Sequence, residues 1–335
     1  MNIKKIGLTA LAASLVSVSS ATAGEMSASG AASITVENYS GVLRNAGVGY
    51  SMADSVTLAG SGELDNGLTV SLSFELDAGA DASPGSFDDH SVSISSDALG
   101  TFKFSGNSGS SAVSAIDGTA AGDVFDTFDT KVGVGGGTAS TAETVSVTGD
   151  AAMLTSPGGG NTMIYTLPAM VDGLSVSASY TPQGSSDESS SAFGGTYTGV
   201  EGLSISYGIG SNDSTAGTAF NADVTTMKAT YAFGPVTLGY SDHEYDSNTA
   251  TRDQDVSSMS LAYTVSDELS ITYGTEDFST GEASTVDAEY SKISVAYTSG
   301  GMTLTAVAAE GENISYTTAP AEDVDYWGIT AAFAF

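Results

Sequence analysis

The chain has 335 residues, with forty acidic side chains against eight basic ones and no cysteine. A formal charge of −32 excludes nucleic acid as a partner, because phosphate recognition needs basic patches that displace counterions. It also excludes an anionic inner-leaflet surface, while the 41% apolar residues and recurring aromatics exclude disorder of the whole chain.

The first residues read as a leader. Lys4 and Lys5 precede an apolar and small-residue run from Ile6 to Val18, and Ala21-Thr22-Ala23 supplies an A-x-A cleavage site. The run is too short and too rich in Ser and Thr to cross a bilayer as a helix. The sequence therefore predicts a signal peptide over 1–23 and one mature domain over 24–335. That domain keeps six basic residues against forty acidic ones, a formal charge of −34. No run of about twenty apolar residues follows, so no transmembrane helix is expected. A long secreted chain without disulfides needs another extended network, and a hydrogen-bonded sheet provides one. Forty-one glycines, only six prolines and no G-x-y period suit short strands and turns rather than collagen.

Period two dominates the mature chain. Leu68, Val70, Leu72, Phe74 and Leu76 alternate with Thr69, Ser71, Ser73, Glu75 and Asp77. Leu203, Ile205, Tyr207 and Ile209 alternate in the same way with Ser204, Ser206, Gly208 and Gly210. Successive strand side chains point to opposite faces, so each such segment has one apolar face and one small polar face. The pattern predicts sixteen strands, over 27–37, 55–64, 68–77, 89–96, 101–106, 162–167, 174–181, 190–197, 203–210, 224–232, 236–243, 256–264, 269–277, 287–298, 302–311 and 325–335.

The connections alternate too. Asp65-Asn66-Gly67 carries the strongest short hairpin signal. Further tight turns are expected at 98–100, 172–173, 199–202, 234–235, 266–268 and 299–301. Long polar loops separate these hairpins, at about 38–54, 78–88, 107–161, 182–189, 211–223, 244–255, 278–286 and 312–324. A meandering outer-membrane barrel has short periplasmic turns and long external loops. A closed sheet of sixteen strands is too wide for side chains to fill and leaves an aqueous channel. Closure is also what lipid demands, since an open edge would strand backbone donors and acceptors. The expected fold is an all-β, sixteen-stranded antiparallel transmembrane β-barrel.

The last segment shows the pattern most cleanly. Trp327, Ile329, Ala331, Phe333 and Phe335 share one face, and Gly328, Thr330, Ala332 and Ala334 the other. Eight residues separate Trp327 from Phe335, about 26 Å along a strand at ~3.3 Å per residue. Barrel tilt reduces this to ~20 Å of height, close to the separation of two aromatic girdles.

Four stretches then carry a family likeness: GSGELDNGLTVSLSFEL (60–76), LGTFKFSGN (99–107), NTMIYTLPAMVDGLSVSASYTP (161–182) and the ending WGITAAFAF (327–335). In order and spacing they resemble the general bacterial porins of Gram-negative outer membranes, of the alphaproteobacterial trimeric type. The ending resembles that family's terminal-Phe assembly signal, which assigns girdle and assembly roles to Trp327, Phe333 and Phe335. The resemblance implies a homotrimer among outer-membrane lipid and lipopolysaccharide, passing small hydrophilic solutes and ions. It also implies a third loop folded into the pore.

By that resemblance 107–161 is the constriction loop, and its length far exceeds that of ordinary connections. It carries Asp117, Asp123, Asp126, Asp129 and Lys131, with Phe125 and Phe128 expected to pack it against the wall. The family commonly sets arginines opposite this loop, whereas Gly106 and Gly160 stand in the corresponding stretches here. By strand phase Lys103, Lys228, Lys292, Glu37, Glu63, Glu75 and Asp77 fall on polar faces, giving an acidic lumen. Rings of carboxylates favour cations, so a passive, cation-preferring pore is expected. No cofactor is required. Asp123, Asp126 and Asp129 also suggest Ca²⁺ binding through several oxygens, although their spacing matches no EF-hand loop.

An enzyme is not expected. His90 and His243 are the only histidines, with His243 read as a solvated lumen or loop residue, and no catalytic motif appears. The alternative from another class is a secreted adhesin or surface-layer β protein. It would explain the acidity and the leader, but not the short–long connection rhythm or the terminal aromatic.

Overall fold

The computed structural model describes residues 26–40, 47–77, 87–107, 109–129, 158–182, 188–214, 221–248, 253–282, 285–314, 316 and 323–335. The leader over 1–23 and Lys131 lie outside the described residues. Five strands come first: β1 (Met26–Ser40), β2 (Gly47–Glu63), β3 (Thr69–Asp77), β4 (Asp89–Ser96) and β5 (Gly100–Asn107). A two-stranded ribbon follows, β6 (Gly109–Ser110) with β7 (Gly158–Gly159), and a single helical turn, α1 (Asp126–Asp129), lies between its strands in sequence. The remaining strands are β8 (Thr162–Thr166), β9 (Leu174–Thr181), β10 (Glu188–Val200), β11 (Leu203–Ser214), β12 (Ala222–Phe233) and β13 (Val236–Ser247). They continue as β14 (Gln254–Thr264), β15 (Leu269–Thr280), β16 (Ala288–Ser299), β17 (Met302–Glu312) and β18 (Val324–Ala334).

Sixteen of these strands form one closed antiparallel barrel, in which β5 pairs with β8 and each other neighbour in chain order pairs directly. The ribbon β6–β7 stands apart at the root of the third loop. Closure runs through the two ends, with β1 and β18 in register from Ala31↔Ala334 to Ser40↔Asp325. Gly30 and Phe335 exchange both backbone hydrogen bonds, at 2.8 and 3.0 Å. The last residue is therefore part of the ladder, and no edge is left open there.

Turn chemistry sets the short connections. At the first hairpin Gly67 adopts φ +80° and its N–H donates to the Leu64 carbonyl at 2.9 Å, while Asn66 Oδ1 accepts from Leu68 N–H at 3.2 Å. Only glycine takes that backbone conformation without steric cost.

The outer face has two zones. Near the short turns the strands expose Tyr165, Tyr197, Tyr231, Phe233, Tyr263, Tyr297 and Phe335, an aromatic girdle with the apolar band beyond it. Toward the long loops the same face turns acidic. Asp223 lies directly opposite Asp246, Glu244 opposite Asp255, Asp277 opposite Glu289, Glu289 opposite Glu312, and Glu310 opposite Asp325. Unpaired carboxylates do not sit in hydrocarbon, so this rim marks the upper limit of the lipid.

Here the strands run beyond the expected boundaries. β2 begins at Gly47, although 47–54 reads as loop, and β13 and β15 continue to Ser247 and Thr280. At the upper ends of β13 and β15 the outward positions become polar, with Asp242, Glu244, Asp246 and Asp277, so the alternation fades while the backbone ladder continues. In β2 the outward Val48, Tyr50 and Met52 stay apolar and exposed. The inner face changes as well. Polarity predicts a small, wet lumen throughout, but Val256, Phe278, Ala288, Tyr290, Ala309 and Val324 are buried and packed together with Ile314 and Tyr316. The inward face of β14–β18 is apolar in its upper half because something docks on it.

Candidate functional site

What docks is the third loop. Its described part, 109–129, runs along the inside of the wall and meets successive strands in order. Ala112 N–H donates to Ser179 Oγ on β9 at 2.9 Å. Lys228 on β12 donates to the carbonyls of Gly118 and Thr119 at 2.7 and 3.2 Å. Ala120 N–H reaches Ser241 on β13 at 2.8 Å, and Ala121 N–H reaches Ser258 on β14 at 2.9 Å.

Glu276 on β15 is the centre of the clamp. Its Oε1 accepts from Thr119 Oγ1 at 2.5 Å and Val124 N–H at 2.8 Å, and its Oε2 accepts from Phe125 N–H at 3.0 Å. On β16 Lys292 donates to the Gly122 carbonyl at 2.9 Å, and on β1 the Tyr39 hydroxyl donates to the Thr127 carbonyl at 3.0 Å. A loop carries many backbone groups and cannot lie in a protein interior unless these find partners. The wall supplies them one strand at a time.

Packing completes the seam. Phe125 meets Phe278 edge to face at 5.3 Å, and Phe128 stacks on Tyr290 at 5.6 Å. Phe128 and Phe278 are fully buried, each worth about 1.5–3 kcal/mol in area removed from water. Absent side chains matter equally. A Cβ on Gly274 of β15 would come within 2.6 Å of the Ala121 Cβ, and one on Gly194 of β10 would collide with the Ala112 carbonyl. The loop itself is shaped by Gly122 and Asp123, both at positive φ (81° and 49°), and by a reciprocal pair: Thr119 N–H to Asp123 Oδ1 and Asp123 N–H to Thr119 Oγ1, each 2.8 Å.

This placement separates the site residues named by the sequence. Asp117, Asp123 and Asp126 ride on the loop, Phe125 and Phe128 are its packing side, and Asp129 closes α1 with a side chain outside the described ones. Asp123 already holds the Thr119 amide, and among the described residues no three metal-ligating side chains converge. Lys228 and Lys292 do not stand across the lumen from the loop; they hold its carbonyls. The facing arc, β2–β5, directs inward the hydroxyls of Ser55, Thr57, Ser71, Ser73, Ser91 and Ser93. Glu63, Glu75, Asp77 and Asp89 share this face, with Lys103 between Ser93 and Ile164. Lys103, Lys228 and Lys292 are the only basic chains among the described residues. A Cβ at Gly106 would meet the His90 ring, which would have to move to admit it.

His243 is corrected. It is 2% exposed and faces inward from β13 between Thr226 and Val256, in a part of the lumen that is filled rather than open. The clamp residues Glu276, Ser179, Ser241 and Ser258 were not singled out by the sequence. Glu276 had a readable signal: it is in phase with inward Ser270, Thr272 and Gly274, yet lies beside Phe278, in phase on the same face.

A closed sixteen-strand sheet with an apolar, aromatic-girdled outer band and a hydrophilic lumen narrowed by an inward loop is a channel of the outer membrane. The Gram-negative porin family model matches residues 7–318, and the chain belongs to that family. It is a Gram-negative outer-membrane porin and not an enzyme. No curated protein sequence matches it. Among solved structures it is similar to a loop-deletion mutant of OmpT, an outer membrane protein of Vibrio cholerae, with TM-score 0.66 and 16% identity over 93% of this chain and all of that one. The trimer form of Vibrio cholerae OmpT gives TM-score 0.65 at 15% identity, with the same coverage of both chains. A substituted Rh. blastica porin gives 0.61 at 14%, again over 93% of this chain and all of that one. At such identities these likenesses speak for the fold.

Proposed function

We propose that the channel passes small hydrophilic solutes passively and prefers cations. The observation that carries this reading is the use of the lysines. Two of the three described basic side chains are engaged by loop carbonyls, while Glu63, Glu75, Asp77 and Asp89 line the facing arc and Asp117, Asp123 and Asp126 lie on the loop. Confined carboxylates raise the local cation concentration and lower the barrier to cation entry. In this reading those carboxylates, with Lys103, Lys228 and Lys131, set selectivity, and Trp327, Phe333 and Phe335 anchor and assemble the barrel.

The finer assignment is a homotrimer of the alphaproteobacterial type, seated among outer-membrane lipid and lipopolysaccharide after loss of residues 1–23. The trimer form of Vibrio cholerae OmpT and the fold likeness to the Rh. blastica porin support it. Reversal potentials in planar bilayers under a potassium chloride gradient test the selectivity. A potential of the sign set by potassium is expected, and one set by chloride overturns the reading.

A further inference from the structure

A cavity of about 520 Å³ lies between the loop segment Ser114–Gly118 and the inner wall of β10–β12. Its wall residues sit toward the short-turn ends of their strands, so it lies on the periplasmic flank of the loop. The Lys228–Gly118 contact of the clamp forms part of its lining, and its volume falls in the range of small-molecule sites.

Its chemistry is uneven in a way that selects a ligand. The wall side is hydroxylic: Thr196 and Ser206 share a 2.8 Å hydrogen bond, with Ser204 and Thr230 beside them. Hydroxyls both donate and accept, which suits a solute that itself carries several hydroxyls. The loop side is acidic, with Asp117 and Asp123. Lys228 is the one base in the lining, and two of an ammonium's three donors go to the carbonyls of Gly118 and Thr119. Within the lining two carboxylates stand against one lysine, with Lys292 acting on Asp123 from outside it, and Ile116 adds an apolar side chain.

We propose that this cavity is a binding subsite for small polyhydroxylated solutes bearing one ammonium group, of the amino-sugar class, just below the constriction. The solute's hydroxyls bond to the Thr196–Ser206–Ser204–Thr230 wall, its ammonium lies against Asp117 and Asp123, and its carbon skeleton rests on Ile116. The subsite rests on the channel reading and adds a preferred solute to it.

Current block in single channels of the assembled protein tests it, with glucosamine as the probe and glucose as the neutral comparison. Glucosamine is expected to reduce the current saturably, at about ten-fold lower concentration than glucose, as one charge-assisted contact implies. Asp117→Asn is expected to abolish the difference between the two sugars, and Thr196→Val with Ser206→Ala to weaken both. Equal, non-saturating reduction by both sugars in the wild type overturns the subsite without any variant having to fold, and leaves the channel reading standing. Absence of conductance steps overturns both.

Discussion

Glu276 on β15 and Thr119 in the third loop share a 2.5 Å hydrogen bond, although 157 residues separate them. The same carboxylate holds the amides of Val124 and Phe125. Removing it leaves three buried donors without acceptors, at about 1–3 kcal/mol each. Glu276→Ala is expected to loosen the loop and produce strong open-channel current noise. Glu276→Gln keeps the shape and one acceptor and is expected to lie between the two. Quiet channels in both variants would show that the clamp lies elsewhere.

Close approach gives a second expectation. Gly194→Ala places a methyl against the Ala112 carbonyl, and Gly274→Ala places one within 2.6 Å of the Ala121 Cβ. Both push the loop off the wall toward the lumen, so single-channel conductance is expected to fall in each. Migration of the folded barrel on gels is expected to match that of the wild type, since neither change touches the strand ladder.

The acidic rim sets a third. Five directly opposed carboxylate pairs cost about 0.2–1 kcal/mol each, an effect that salt screens. Thermal unfolding is therefore expected to move upward with sodium chloride. Glu289→Gln relieves two pairs at once and should both raise stability at low salt and flatten that dependence.

Tyr316 supplies a fourth. It is buried above β14–β18, its hydroxyl accepts from Gln254 Nε2 at 3.0 Å, and burial pushes its pKa from 10.0 up to about 12, with Asp287 adding to the rise. The neutral phenol is the form the folded state favours. Its contribution is thus fully present below pH 10.0 and is lost as pH rises through about 12. Phenolate absorbance against pH should show a late-titrating step that Tyr316→Phe reduces by one phenol.

The barrel was legible because lipid imposes a strict rule. Every strand crossing hydrocarbon alternates, as Leu203 to Gly210 do, and every second connection is short, as Asp65-Asn66-Gly67 shows. Above the lipid that rule lapses. The ends of β13 and β15 carry Glu244, Asp246 and Asp277 outward yet keep pairing with their neighbours, and backbone pairing leaves no mark on composition. Residues 47–54, with Val48, Tyr50 and Met52 outward, did carry the alternation. The seam under the loop was legible only in part. Phe125 and Phe128 stand out as aromatics in a polar stretch, but Ser179, Ser241 and Ser258 look like any lumen serine. Lys228 and Lys292 could be placed inside the barrel by phase, yet not on the loop's own side, because phase gives a face and never a partner.

Conductance steps of the purified protein in planar bilayers, recorded while each ion is exchanged in turn for a bulky one, test the central claim most directly. A loop-narrowed acidic channel predicts discrete steps that shrink when potassium is replaced by a large organic cation and hold when chloride is replaced by a large organic anion. Absence of steps, or shrinkage only on replacing the anion, would contradict it.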